Sequence, residues 1–288
     1  MRFFGRRQQQ KQQPAVPSLD GLVDRLVLPC ATIRLAGHAP ASAGSSYVAG
    51  HPYLPVERPW PEWDGQPMFF LAQVDFAEVP PLPGFPERGL LQWFVGSDDT
   101  YGLTFDETQG TAGFETRWYD DTDAPSLRQP GDPTPWHTAR DAGEEVYCPI
   151  DAVDATALGF APGRVLPAYD ELPAGLDLAP VAQLAASVGE AAEDVPFVWD
   201  EYVRGASSTV PGLASGSTVG GSADFAQSDP RGLGAFPAHH APDGRLVLQL
   251  DAAQVGGWGD VGVAHLFGDP AAVARGDLSS LRYHWDCS

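Results

Sequence analysis

The chain has little positive charge, few thiols and no long apolar run, and each shortage excludes a class of protein. Of its 288 residues only 17 are Lys or Arg against 38 Asp or Glu, for a formal charge of −21. Lys11 is the sole lysine, which reads as a lineage bias in codon use rather than a mechanism. Met1 to Gln13 holds Arg2, Arg6, Arg7 and Lys11 with no acid, so the rest of the chain stands at −25. Phosphate contacts need clustered Lys and Arg, so nucleic-acid binding by the body is not expected. The acidity would attract a basic partner, although solubility alone also accounts for it.

Three cysteines, Cys30, Cys148 and Cys287, are odd in number, widely spaced and outside any C-x-x-C pair. They read as reduced thiols of a cytoplasmic protein. No apolar stretch reaches the length of a membrane span. The start MRFFGRRQQQKQQ lacks the apolar core of a secretory signal, and residues 1–16 are expected to be a disordered basic, Gln-rich tail. Also missing are a phosphate-binding loop of the Walker type and a nucleophile elbow: Gly216-Ser217-Thr218-Val219-Gly220 does not fit G-x-S-x-G.

What is present is apolar and rich in turns. Apolar residues make up 43%, with eight Trp and fourteen Phe, as a globular core requires. The 32 Gly and 28 Pro argue for many turns and little long helix. The most informative pattern is a repeated framework. Phe70-Leu71-Ala72-Gln73-Val74-Asp75 precedes Gly89-Leu90-Leu91-Gln92-Trp93-Phe94, and Leu246-Val247-Leu248-Gln249-Leu250-Asp251 precedes Gly262-Val263-Ala264-His265-Leu266-Phe267. Each copy is an apolar strand carrying Gln-x-Asp, a loop, then a Gly-led apolar strand. Residues two apart on a strand share a face about 7 Å apart, so Gln73 with Asp75, and Gln249 with Asp251, point one way. Upstream, Ala49-Gly50-His51-Pro52 and Gly220-Gly221-Ser222-Ala223 are the matching loops.

These patterns predict an α+β protein, mainly antiparallel β, built of internally duplicated β-rich halves with a few short helices. The first half is expected over 17–203 and the second over 222–288, sharing one core across a Gly/Ser-rich linker or lid at 204–221. Ser18 should cap a helix whose apolar stripe is Leu19, Leu22, Val23, Leu26 and Val27, stopped by Pro29. Strands are expected at Ala31–Leu35, Met68–Phe76, Gly89–Val95, Tyr101–Phe105, Phe114–Tyr119, Val146–Ile150, Leu246–Asp251, Gly262–Phe267 and Leu281–Trp285. Pro52 to Pro67 is expected to be irregular and anchored by Trp60 and Trp63. Asp120 to Glu145 reads as an acidic, Pro-rich surface loop. Helices are expected over Asp177–Ala192, with Pro180 in the first turn, and after Asp269-Pro270.

The ordered set His51-Pro52-Tyr53-Leu54-Pro55, Trp60-Pro61, the two Gln-x-Asp strands, Gly220-Gly221, Gln227-Ser228-Asp229-Pro230-Arg231, Trp258-Gly259-Asp260-Val261-Gly262 and the closing Leu281-Arg282-Tyr283-His284-Trp285-Asp286-Cys287 resembles the YwqG-like family of bacterial proteins. The resemblance covers Tyr47 to Ser288 in pieces and fades between Asp106 and Tyr202. It implies a duplicated β-rich fold and an intracellular bacterial protein, and carries no established activity. Two loops depart from the family pattern, Ala49-Gly50 and Gly221-Ser222-Ala223-Asp224. If they line a site, its ligand differs here.

Candidate chemistry is sparse. Asp251 beside His265 would stabilise a charged imidazole and could act as an acid–base pair; otherwise the Gln and Asp residues hold loop backbone and His265 is structural. Gly257-Trp258-Gly259-Asp260-Val261-Gly262 fits G-x-G-x-x-G in form, but it leads into a strand and carries an acid, so it reads as a tight turn rather than a dinucleotide site. His284 and Cys287, even with His239 and His240, lack the spacing of a metal site. No cofactor is implied. The leading expectation is a non-catalytic cytoplasmic binding module for a basic protein, with Trp258, Asp260, Gln73, Asp75, Gln92 and Gln249 at the contact. The alternative is a small-molecule site or hydrolase between the halves using Asp251 and His265.

Overall fold

A computed structural model of the chain describes residues 19–103, 113–143, 145–150, 154–210, 212–227, 229, 231 and 244–288. The expected tail at 1–16, the cap Ser18, residues 104–105 of one expected strand, and His239 and His240 lie outside the described residues. In chain order the strands are β1 Leu28–Leu35, β2 Tyr47–Val48, β3 Glu62–Trp63, β4 Gln66–Pro67, β5 Phe69–Asp75, β6 Leu90–Val95, β7 Phe114–Tyr119, β8 Thr156–Val165, β9 Thr218–Val219, β10 Arg245–Asp251, β11 Val263–Gly268 and β12 Arg282–Asp286. Among the described residues there are six α-helices: α1 Asp20–Leu26, α2 Pro135–Asp141, α3 Ala179–Val188, α4 Val195–Thr209, α5 Ala252–Val255 and α6 Pro270–Val273.

Ten strands form one sheet in the order β12-β11-β10-β9-β1-β8-β2-β5-β6-β7, and β3 and β4 make a separate small hairpin. Every ladder in the sheet is antiparallel. The centre is the long β1–β8 pair, from Leu28↔Val165 to Leu35↔Leu158. A wing hangs from each side. The wings curl until their edges meet: Tyr283 on β12 packs against Trp93 on β6 and Phe114 on β7, with ring centroids 5.6 and 5.8 Å apart. The sheet is therefore nearly closed, and its interior holds the main core around Leu71, Trp93, Leu250, Trp258, Leu266 and Tyr283.

The two wings share their register. Gln73 lies opposite Gln92 and Asp75 opposite Leu90; Gln249 lies opposite His265 and Asp251 opposite Val263. Each long strand carries its irregularity at the same place, between Phe70 and Ala72 and between Leu246 and Leu248. Each two-residue inner strand ends in a pair of left-handed residues, Ala49 (φ 57°) and Gly50 (φ 67°) in one wing, Gly220 (φ 67°) and Gly221 (φ 89°) in the other. Positive φ turns the chain sharply off the sheet, so the following residues fold back over the strands.

A second core lies between helices, where Leu22 and Val23 of α1, Val181 and Ala185 of α3, and Val198 and Trp199 of α4 bury against one another. Trp199 donates its indole N–H to Pro167 O at 2.9 Å, tying α4 to the end of β8.

Several expectations are corrected. Where a linker or lid was expected at Arg204–Gly221, Arg204 to Thr209 are the last turns of α4, Ser217 is buried, and Thr218–Val219 form β9 between β1 and β10. The Asp120–Glu145 stretch contains α2, started by Thr134 and Pro135, whose Trp136 packs on Phe69 at 5.5 Å. Val146 to Ile150 forms no strand, and Tyr101 to Leu103 are turn and coil. The longest strand, β8, was not expected at all. Its Gly159, Pro162 and Gly163 break the apolar alternation. Pro162 is tolerated because β2 reaches only Thr156 and Ala157 of β8, leaving Pro162 with β1 on one side alone.

Candidate functional site

In the first wing, the buried side chains of Gln73 and Gln92 grip a loop by its backbone. Gln73 Oε1 accepts from Tyr53 N at 3.0 Å and from Gln92 Nε2 at 3.0 Å, while Gln92 Nε2 also donates to Tyr53 O at 2.7 Å. Gln73 Nε2 donates to Ala43 O and Ser45 O, both at 2.7 Å. The second wing repeats the device. Gln249 Oε1 accepts from Asp224 N at 2.9 Å, Gln249 Nε2 donates to Gly216 O at 2.7 Å, and His265 Nε2 lies 2.7 Å from Asp224 O. A carbonyl only accepts, so His265 carries its proton on Nε2 there. Ser46 Oγ and Ser217 Oγ accept from the backbone N–H of Asp75 and Asp251.

Gln73, Gln92, Gln249 and His265 are at most 2% exposed and are spent on this clamp. Asp75 and Asp251 each accept from the N–H two residues on, at 3.0 and 2.6 Å, as start signals for the next turn. Cross-strand pairing puts Asp251 and His265 on one face, a diagonal step apart. Trp258, expected at a contact surface, is fully buried and ringed by Tyr101, Trp285 and Tyr283 at 5.6, 5.9 and 6.5 Å. Asp260 is exposed beside it, and its carbonyl accepts from Ser288. The Gly257–Gly262 run turns directly into β11 and opens no helix.

The clamp presents one side chain per wing. In the first wing this is Tyr53, whose ring meets Tyr119 edge-on at 5.0 Å and whose hydroxyl donates to Ala124 O at 2.8 Å. In the second it is Asp224, which faces a cleft of about 470 Å³ bounded by β9, β10, α4 and the end of β8. Leu166, Val203 and Phe225 give the cleft apolar walls, and Asp200, Asp224 and Asp251 line it with carboxylates. Desolvation of the carboxyl raises the pKa of all three, although Asp224 as a whole residue is exposed, which weakens the effect there. For Asp224 the positive charge of Arg204 opposes that rise and the charges of Asp251 and Asp200 add to it, so the four groups share one field. A bond from Tyr169 N at 2.9 Å moderates the shift at Asp200. Arg204, also in the cleft wall, is paired on its exposed side with Glu201.

Behind the cleft, Arg231 is buried between Asp229 and Glu171 with its guanidinium 4.5 Å from the centre of the Phe267 ring. Asp286 on β12 accepts from Gln227 N at 2.7 Å. Burial pushes its pKa up to about 6, against the pull of the Gln227 and Ala226 N–H groups. Among the described residues no three His, Cys, Asp or Glu side chains are close enough to share a metal ion. Asp200 and Arg204 escaped the sequence reading because topology alone brings α4 beside β10. Asp224 left a trace, as the last residue of the departing loop Gly221-Ser222-Ala223-Asp224.

A nearly closed antiparallel sheet that uses its own polar residues to fasten loops, with an acidic cleft among the described residues, defines a structural class before it defines an activity. The chain belongs to a family of domains of unknown function, DUF1963, whose sequence profile matches residues 46–287. No curated protein matches it. Among the described residues no helix is long and apolar enough to cross a membrane.

Proposed function

We propose that the protein is a non-catalytic binding module whose acidic cleft takes a cationic group, such as a Lys or Arg side chain of a basic protein partner. The observation that carries this is the convergence of Asp200, Asp224 and Asp251 on one open cleft, each with a pKa raised by desolvation. A bound cation would restore the stabilisation those carboxylates lose on leaving water, and binding would release protons. Of the residues expected at the contact, Gln249 lines the cleft while its amide holds backbone, whereas Trp258, Gln73 and Gln92 are buried away from it, so the contact moves to the cleft. Binding rather than hydrolysis is favoured because Asp251 and His265 are each engaged in holding backbone.

A small organic cation in the same cleft is the second reading, since about 470 Å³ falls within the range of small-molecule sites. We further infer that the chain is a YwqG-like, cytoplasmic, bacterial member of its family. The shared register, clamps and left-handed turns of the two wings support an origin by internal duplication.

Calorimetric titration tests the cleft, with an Arg/Lys-rich decapeptide and, separately, spermidine as probes. Saturable binding that weakens with salt and falls at least about tenfold in an Asp224→Asn, Asp251→Asn double variant is the expected result. Peptide without spermidine binding selects the protein partner, and the converse selects the small cation. No saturable heat with either, or binding untouched in the variant, sinks the reading.

A further inference from the structure

The segment from Asp224 to Gln227 is fastened to the sheet at two points of different chemistry. At Asp224 the fastening is the clamp of Gln249 and His265. At Gln227 it is a carboxylate: Asp286 Oδ2 accepts from Gln227 N at 2.7 Å, and the Gln227 side chain adds a bond to Cys287 O at 2.6 Å. Asp224, Phe225 and Gln227 all line the cleft, so this segment is one of its walls. The other oxygen of Asp286, Oδ1, is buried and makes no well-formed hydrogen bond, the nearby Ala226 N–H giving the carboxylate only a weaker pull, and the whole residue is 8% exposed. An ionised oxygen in that position is costly. Two events relieve the cost: a proton binds Oδ1, or the wall lifts and water reaches it.

We propose that Asp286 is a pH-sensitive latch on this wall of the cleft, holding the 224–227 segment down when protonated and favouring its release when ionised. The titratable groups around it are Asp224 from the wall, His265 from β11 and His284 from β12, the two histidines standing opposite each other. Burial is the main force favouring the protonated form, with the Asp224 charge adding to it. Linkage fixes the sign. With the wall down the Asp286 pKa is about 6, and with the wall lifted into water it returns toward its ordinary 3.8. Protons therefore bind the closed form more tightly, and acidification closes the wall. Those two values make opening about tenfold less favourable at pH 5 than at pH 7.

The matching position in the first wing holds no carboxylate. Tyr119 pairs with Leu90 as Asp286 pairs with Val263, so the first wing is a built-in control. Hydrogen exchange of single amides in the full chain, followed by NMR between pH 5 and pH 7.5 and corrected for intrinsic exchange, reads the latch without any ligand. Its failure is thus separate from failure of the cation reading of the cleft. The expected result is a protection of Gln227 N–H that rises about tenfold on acidification from pH 7 to pH 5, while Tyr53 N–H stays level. In Asp286→Asn the Gln227 amide should be protected at every pH. A flat Gln227 profile in the wild type, or a parallel change at Tyr53, overturns the proposal even if the variant does not fold. A pH dependence that survives in a folded Asp286→Asn overturns it too, and points to Asp224, His265 or His284.

Discussion

Replacing Gln73 by methionine preserves side-chain length and removes four hydrogen bonds: those from Tyr53 N and Gln92 Nε2, and those to Ala43 O and Ser45 O. Gln92 Nε2 keeps Tyr53 O, and Ala43 O keeps a long 3.4 Å contact from the Tyr47 hydroxyl. Tyr53 N–H and Ser45 O are left without a partner, and Ala43 O nearly so. At about 1–1.5 kcal/mol for each stranded backbone group, Gln73→Met should cost about 3–4 kcal/mol. Gln249→Met strands only Asp224 N–H and Gly216 O, for about 2–3 kcal/mol. In a chain of this size 1 kcal/mol lowers Tm by about 2 °C, giving drops of about 6–8 °C and 4–6 °C. Differential scanning calorimetry, checked by denaturant midpoints at constant slope, measures both. A Gln73→Met protein within about 1 kcal/mol of wild type, or a Gln249→Met protein that is the weaker of the two, would refute the clamp.

Trp258→Ala should cost about 3–5 kcal/mol as a core cavity, and Trp258→Gly should cost no more, because φ at this residue is +53° and glycine relieves the left-handed strain. Thermal melts compare the pair; a loss under about 1 kcal/mol would return Trp258 to the surface. Asp286→Asn should stabilise the fold at pH 7. The folded pKa of about 6 lies above the ordinary 3.8, so wild-type stability falls as pH rises through that window, by at most about 3 kcal/mol. The gain should vanish near pH 3.5, and urea unfolding at both pH values decides it; equal midpoints at pH 7 would refute the shift. Arg231→Ala should cost about 3–5 kcal/mol by stranding Asp229 and Glu171, read by the same unfolding assay, and a neutral effect would count against a tightly held ion cluster.

The parts of the fold legible in the sequence were those whose pattern is local. The apolar Gln-x-Asp strands β5 and β10, their Gly-led partners β6 and β11, and the Asp269-Pro270 helix start all declare themselves within a few residues. The parts that were hidden are made by tertiary pairing. β8 carries two glycines and a proline and is a strand because eight residues of β1 pair with it. β2 and β9 are two residues long, below any periodicity. The later turns of α4 look like linker because of Gly205, Ser207 and Thr209. Yet Val195, Val198, Trp199 and Ala206 recur at helical spacing and are all buried, a signal the Ser/Thr content masked. The cleft could not be read at all: Asp200, Asp224 and Asp251 come from three separate elements, and only the sheet order brings them together.

The two wings hold the same backbone clamp, so what separates them chemically is the side chain each clamp presents and what stands opposite. Tyr53 finds an aromatic partner in Tyr119 and a carbonyl for its hydroxyl, and so fills its own wing. Asp224 can do neither. Across the gap α4 stands with Asp200 and Arg204 rather than with a ring that could close it. Because Gln249 and His265 grip only the main chain of residue 224, the framework places no demand on that side chain. On the binding reading proposed above, the same clamp would serve packing in one wing and recognition in the other, and ligand selectivity would fall to the presented residue and the helix facing it.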